Sequence, residues 1–223
     1  EPLLWQDGSY GLKDLIRHAK LLFPRVAITT NGTIPFAVPA DIIWVSLDGM
    51  EDTHNHLRSN SFRRAWNNLR NSDHPNVLIH ITLNRENWRD TRKLLEKLSG
   101  VPSVRGVTVQ FFYPYRKGEE NLALPPEARQ QAIEDVIRMK REGYPILNSV
   151  KSLKGMILNT WTCHDDVLIN VDPDGAISEG CYAKRRGNIS CKDCGFTPVA
   201  EASGAVDLSP SSLYAGWSIF LRK

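Results

Sequence analysis

The stretch Ser46 to Phe62, SLDGMEDTHNHLRSNSF, carries more polar groups than a plain turn needs, directly after the apolar run Ile42-Ile43-Trp44-Val45. A buried strand therefore delivers Ser46 and Asp48 to its end, and a helical stretch carries Arg58 behind them. His54 and His56 are two positions apart and do not share a helix face, so surface or capping roles are expected rather than metal ligation. The second reactive group is Cys163, Cys181, Cys191 and Cys194; the first 162 residues hold no cysteine. Cys191 and Cys194 have the spacing of half a zinc ribbon. Clustering of this kind argues against a disulfide framework, and from spacing alone zinc and iron–sulfur both stay open.

Strands and helices must position these groups. Helical spacing of Leu12, Leu15, Ile16, Ala19 and Leu22 predicts a helix over Tyr10 to Phe23, stopped by Pro24. Strands are expected at Arg25 to Thr29, Ile42 to Val45, Val77 to Leu83 and Val104 to Phe112. Helices are expected at Phe62 to Arg70, Trp88 to Leu98, and from Pro125-Pro126 to Gly143. Strand and helix alternate about every 30 residues, the rhythm of a parallel βαβ sheet. Ligands in such folds gather at the C-terminal ends of strands, where Thr30-Asn31, Ser46 to Asp48, Asn84 and Gln110 lie. His80, inside the third strand, reads as a packed or hydrogen-bonded core residue. Ile146 to Trp161 reads as one more helix, followed by a hairpin about Asp172-Pro173-Asp174-Gly175 with a type I turn. Beyond Gly195, Gly, Ser and Pro are frequent, and only Leu213 to Leu221 reads as ordered.

Hydrophobic content of 41% and charged content of 24% fit a soluble globular protein. A net charge of +3 without a basic run gives no case for nucleic acid. No apolar stretch approaches the roughly 18 residues of a membrane helix, and no signal peptide is visible, so a cytoplasmic protein is expected.

The ordered set of motifs resembles the radical S-adenosylmethionine (SAM) enzymes. Glu1-Pro2-Leu3-Leu4 looks like the tail of that family's Gly-Gly-Glu-Pro motif, which holds the SAM amino group. The strand ending Thr30-Asn31-Gly32 resembles its third strand; Ser46-Leu47-Asp48-Gly49, then His54, Arg58 and Phe62, resembles its fourth strand and following helix. There the family places a serine near the SAM ribose and, twelve positions later, an arginine near the SAM carboxylate, the separation of Ser46 and Arg58. The resemblance implies that Glu1, Ser46 and Arg58 hold SAM and that Asn31 and Asp48 line its site. The four cysteines bracket Asp174-Gly175 and Gly187-Asn188-Ile189 in a manner similar to the auxiliary-cluster regions called SPASM and twitch. Cys163, Cys181, Cys191 and Cys194 would then ligate one [4Fe–4S] cluster, with zinc as the alternative.

The family's Cys-x3-Cys-x2-Cys, which ligates the catalytic cluster, lies upstream of Gly-Gly-Glu-Pro, and this chain carries no such motif. The expectation is therefore a truncated sequence, inactive alone, with no catalytic residue assigned within it. The fold expected is α/β: a partial (β/α)6 barrel over 1–145, with about four parallel strands, and a small cysteine-rich α+β domain over 146–223. An intact enzyme of this kind would cleave SAM reductively, take electrons from a donor such as ferredoxin or flavodoxin, and modify a peptide, lipid or small molecule. The rival from another class is a non-catalytic α/β binding module with a structural zinc site. A phosphate-binding barrel enzyme is disfavoured because no Gly-rich phosphate loop is present.

Overall fold

Short apolar strands separated by helices govern the chain, and the computed structural model, which describes residues 1–185 and 190–222, arranges them as a mixed α/β fold. A two-stranded antiparallel hairpin, β1 (Gln6–Asp7) and β2 (Tyr10–Gly11), opens it. Helix α1 (Leu12–Leu22) follows; its Asp14 carboxylate accepts the Gly11 N–H at 3.1 Å and so closes the first turn. The hairpin and the extended Phe23 trim the expected helix at both ends.

Four strands form one parallel sheet in the order β3 (Ala27–Thr30), β4 (Ile42–Ser46), β5 (Val77–Leu83), β6 (Val104–Phe111). Thr30 lies opposite Val45, and Ser46 opposite His80, so the ends of β3, β4 and β5 share one edge of the sheet. Ile42, Ile43, Val45, Val77, Leu78, Ile79 and Ile81 are all fully buried. Apolar side chains on both faces are what a covered parallel sheet requires. His80 Nδ1 pairs with Thr108 Oγ1 at 2.8 Å, the hydrogen-bonded strand residue expected. β3 forms one edge of the sheet, and the end of α1 before it leaves Leu21, Leu22 and Phe23 exposed.

Between β4 and β5 lie α2 (Glu51–Leu57) and α3 (Phe62–Arg70); between β5 and β6 lies α4 (Thr91–Leu98), after a 3-10 turn at Trp88–Asp90. Helix α5 (Pro126–Arg141) gives way to Gly143 at φ +99°, a conformation glycine adopts without steric penalty. The helix expected over Ile146 to Trp161 forms, but only over Val150–Leu158. Ile146 forms a parallel bridge to Val107, and Val107 N–H donates to Pro145 O at 2.8 Å. The buried Asn148 then plays a strand's part with its side chain: Oδ1 accepts the Val109 N–H at 2.9 Å and Nδ2 donates to Val109 O at 3.0 Å. Only from Ser149, whose hydroxyl caps Ser152 N–H, does α6 (Val150–Leu158) begin.

The hairpin β7 (Ile169–Val171) and β8 (Ile177–Glu179) is as expected, with Gly175 N–H donating to Asp172 O across the turn. The chain beyond Gly195 is not. It forms α7 (Thr197–Val206) and α8 (Pro210–Phe220), each with proline in its first turn. The small residues that suggested loop serve close helix packing: a Cβ on Gly204 would lie 2.3 Å from Ser212 Oγ.

The chain divides into two compact units. The first comprises 1–82, 86–108 and 139–146, and its core is the apolar sheet. The second comprises 83–85, 109–138 and 147–223, and in it α6, α7 and α8 pack on one another. Among the described residues no helix is long and apolar enough to cross a membrane.

Candidate functional site

In the first unit, β4 runs out through Ser46 and Leu47 into Asp48, which is 5% exposed. All three polar arms of Asp48 are engaged. Its Oδ1 accepts the Thr82 N–H at 2.8 Å, its Oδ2 accepts Arg58 Nε at 2.5 Å, and its own N–H donates to His54 Nδ1 at 3.1 Å. Gly49, at φ +130°, turns the chain into α2, where an added Cβ would crowd Thr53 at 3.2 Å.

Arg58 caps the end of α2, its N–H donating to His54 O. Ser59 and Asn60 then both take positive φ, 50° and 55°, and fold the chain back sharply. Asn60 N–H donates to Asn55 O, and Asn55 Oδ1 accepts Phe62 N–H at 3.0 Å, starting α3. This corner returns the Arg58 side chain to the strand end. Its Nε is taken by Asp48, and among the described residues its two terminal nitrogens have no partner. Nor does the Ser46 hydroxyl.

His54 was expected at the surface or in a cap. It is instead fully buried, and its Nε2 meets Ser61 Oγ at 3.0 Å, while Ser61 donates to Arg58 O at 2.6 Å. Phe62 packs its ring edge-to-face on the imidazole. Burial pushes the His54 pKa down to about 4, against the nearby Asp48 carboxylate, which raises it, and with Arg58, which lowers it further. The aromatic that opens α3 and the serine before it were the available signals; the period of the histidines alone pointed the wrong way. His56 is exposed and pairs with Glu86 at 3.3 Å, a surface role.

One strand over, Glu1 sits against the end of β3. Its Oε1 accepts Thr30 Oγ1 at 2.8 Å and Leu3 N–H at 3.2 Å, and its Oε2 accepts Asn31 N–H at 2.9 Å. Asn31 is largely engaged locally: its Oδ1 accepts both the N–H and the hydroxyl of Thr33, which leaves its amide NH2 for anything else. Gly32, at φ +74°, allows the approach of Val45, whose Cγ1 would lie 2.8 Å from an added Cβ. Glu1, Asn31, Ser46, Asp48 and Arg58 thus belong to the ends of two neighbouring strands at one edge of the sheet.

The cysteines lie in the second unit. All four are free; Cys181 is buried, Cys194 half-buried, Cys163 and Cys191 exposed. Cys181 packs with Ala183 and Val199 beneath Trp161 and Phe196. Its N–H donates to Asp165, whose carboxylate also binds Lys184 Nζ at 2.7 Å and is held below its usual range, chiefly by that bond. Burial raises the Cys194 thiol against the backbone N–H of Phe196, which lowers it, and burial with the nearby Asp165 carboxylate raises the Cys163 thiol. Among the described residues, however, no three of His, Cys, Asp or Glu form a group able to hold a metal ion. The motif Gly187-Asn188-Ile189 lies outside the described residues. Gly195 anchors the segment, with its carbonyl accepting Phe111 N–H and no room for a Cβ against the Phe111 ring at 2.6 Å.

No family model matches the chain, and no curated protein matches it.

Proposed function

We propose that this chain is the SAM-holding core of a radical SAM enzyme, built on a partial (β/α)6 barrel. One observation carries the reading: a carboxylate on the β3 end and an arginine at the β4 end share one sheet edge, and among the described residues two of the arginine's nitrogens and the neighbouring serine hydroxyl have no partner. SAM presents an ammonium, a carboxylate and ribose hydroxyls, and the residues fit each in turn. Glu1 has lone pairs left for the ammonium after its three contacts. Arg58 offers its terminal nitrogens to the carboxylate, and Ser46 its hydroxyl to the ribose. Asp48 holds the guanidinium by Nε, which fixes the fork's direction. Asn31 lines the site with its amide NH2. With an electron passed from a donor such as ferredoxin or flavodoxin through the family's catalytic [4Fe–4S] cluster, whose Cys-x3-Cys-x2-Cys motif this sequence does not carry, bound SAM would supply methionine and a 5′-deoxyadenosyl radical able to take hydrogen from a substrate. The residues above bind and orient; the substrate class stays at peptide, lipid or small molecule.

Cys163, Cys181, Cys191 and Cys194 are the proposed ligands of an auxiliary iron–sulfur cluster. Four free thiols confined to 163–194 support this, but as placed they do not form a metal-holding group, so they must close around a metal to bind it. No step of the chemistry is derived through that cluster. The spacing Cys191-x2-Cys194, half a zinc ribbon, favours a second reading, a non-catalytic α/β binding module with zinc on the same thiols. Anaerobic absorption separates these two: an iron–sulfur protein is brown, a zinc protein colourless.

The test is calorimetric titration of the full chain with SAM, alongside Arg58→Ala and Ser46→Ala. Saturable one-site binding, weakened about tenfold or more by Arg58→Ala, is the result expected for loss of a charged hydrogen-bonding partner. Binding that ignores both substitutions, or no binding at millimolar SAM, defeats the proposal.

A further inference from the structure

We infer that His54 is a positioning residue: a neutral imidazole that bridges the Asp48 backbone to the Ser61 hydroxyl and thereby sets the direction of Arg58. Its use for a ligand rests on the SAM reading above; the bridge itself does not. A backbone N–H can only donate, so the contact from Asp48 N–H at 3.1 Å requires a bare Nδ1. The neutral ring then carries its proton on Nε2 and donates to Ser61 Oγ at 3.0 Å. Ser61 in turn donates to the carbonyl of Arg58 at 2.6 Å. One ring thus fixes both residues of the Asp48–Arg58 pair, the carboxylate through its own N–H and the arginine through its carbonyl.

The ring is well placed to do this. It is fully buried, and the Phe62 ring stands against it at 5.6 Å and 71°. The charged groups that bear on it are Asp48 and Arg58, and burial keeps it uncharged. A charged ring would carry a proton on Nδ1 and turn it against the Asp48 N–H. The corner of Ser59 and Asn60, both at positive φ, is held shut at its far side by the same Ser61. A purely space-filling residue would need none of this directionality.

The experiment uses the full chain without ligand first. Nitrogen-resolved histidine spectra of the wild type should show a buried ring with Nε2 protonated and Nδ1 bare. The Arg58 Nε–H, held by Asp48, should give a slowly exchanging resonance. His54→Ala should lose that resonance and His54→Asn should keep it, because the asparagine Oδ1 can accept the Asp48 N–H in place of Nδ1. With SAM as the probe at neutral pH, His54→Ala should weaken binding about tenfold, one hydrogen bond's worth of lost placement, and His54→Asn should restore most of it. If wild type fails to bind SAM while the Arg58 resonance follows this pattern, the SAM reading falls and the positioning role stands. If the Arg58 resonance is unchanged in His54→Ala, the positioning role is wrong whatever SAM does. Should His54→Ala not fold, the wild-type spectrum decides: a ring protonated on Nδ1 overturns the inference.

Discussion

The β4 end and the cysteine-bearing stretch of the second unit both gather reactive side chains, yet they are built on opposite terms. At the β4 end the polar atoms are tied before any ligand arrives: both Asp48 oxygens, both His54 nitrogens and Arg58 Nε have partners. The cysteines have no such framework. Two are exposed, none is in a disulfide, and among the described residues no three ligands converge. One region is preorganised by its own hydrogen bonds; the other, on the proposed reading, would be completed by a bound metal.

The largest expected effect is a test of that difference. Zinc or a reconstituted cluster, at about a thousand times its dissociation constant, stabilises a folded state by about 4 kcal/mol. Hydrogen exchange should then slow at residues 181–185 and 190–196 and stay unchanged at 46–62. Equal slowing in both stretches, or none in the first, would remove the contrast.

Acid should separate the regions next. His54 has a folded pKa of about 4 against an ordinary 6.5, so the fold favours its neutral form. Its contribution is fully present above pH 6.5 and is lost as pH falls toward 4, on the order of 3 kcal/mol. Glu201 goes the other way. Burial raises its pKa, even though Ser149 N–H donates to its Oε1, so its region is favoured below the ordinary carboxylate range and loses that advantage as pH rises through the raised value. Exchange profiles at pH 4.5 and pH 7 should therefore show the β4 end loosening in acid while the α6–α8 packing tightens. His54→Asn and Glu201→Gln should each flatten one trend; a common slope in both regions would contradict the assignment.

Asp48→Ala should cost about 2 kcal/mol, mainly because the Thr82 N–H loses its buried acceptor. Arg58, about a third exposed, adds little to stability. Asp48→Asn keeps an oxygen for Thr82 and should cost less than half as much in chemical denaturation. Gly204→Ala should cost about 1 kcal/mol by overpacking against Ser212, and Ser212→Ala in the same chain should recover part of it. If Gly204→Ala is neutral, the close approach of α7 and α8 is not tight.

The sheet was legible because its strands are continuous apolar runs; VLIHITL became β5 over the residues expected. The strand ends were legible for the same reason, since Ser46 and Asp48 stop an apolar run. Three features were not. Asn148 replaces a strand by its side-chain amide, which no periodicity reveals. Gly204 and Ser212 read as loop because small residues mark both turns and close helix contacts. His54 read as surface because spacing reports which face a residue takes, and not that a corner at Ser59 and Asn60 folds over it.

The contact between Phe111 and Gly195 has a consequence for the order in which the chain folds. β3 meets β4 across a short connection, Ala27 to Ile42, and β4 meets β5 from Ile43 to Val77. Gly195 must return to Phe111 over a far longer stretch, and closing a longer loop is slower and entropically dearer. The sheet should therefore be assembled while the cysteine segment still searches, and a nascent chain released before Gly195 should already protect β4 and β5 in pulse-labelling exchange. The thiols would spend that interval unfastened, so metal that arrives early meets a chain that is free to choose how it wraps.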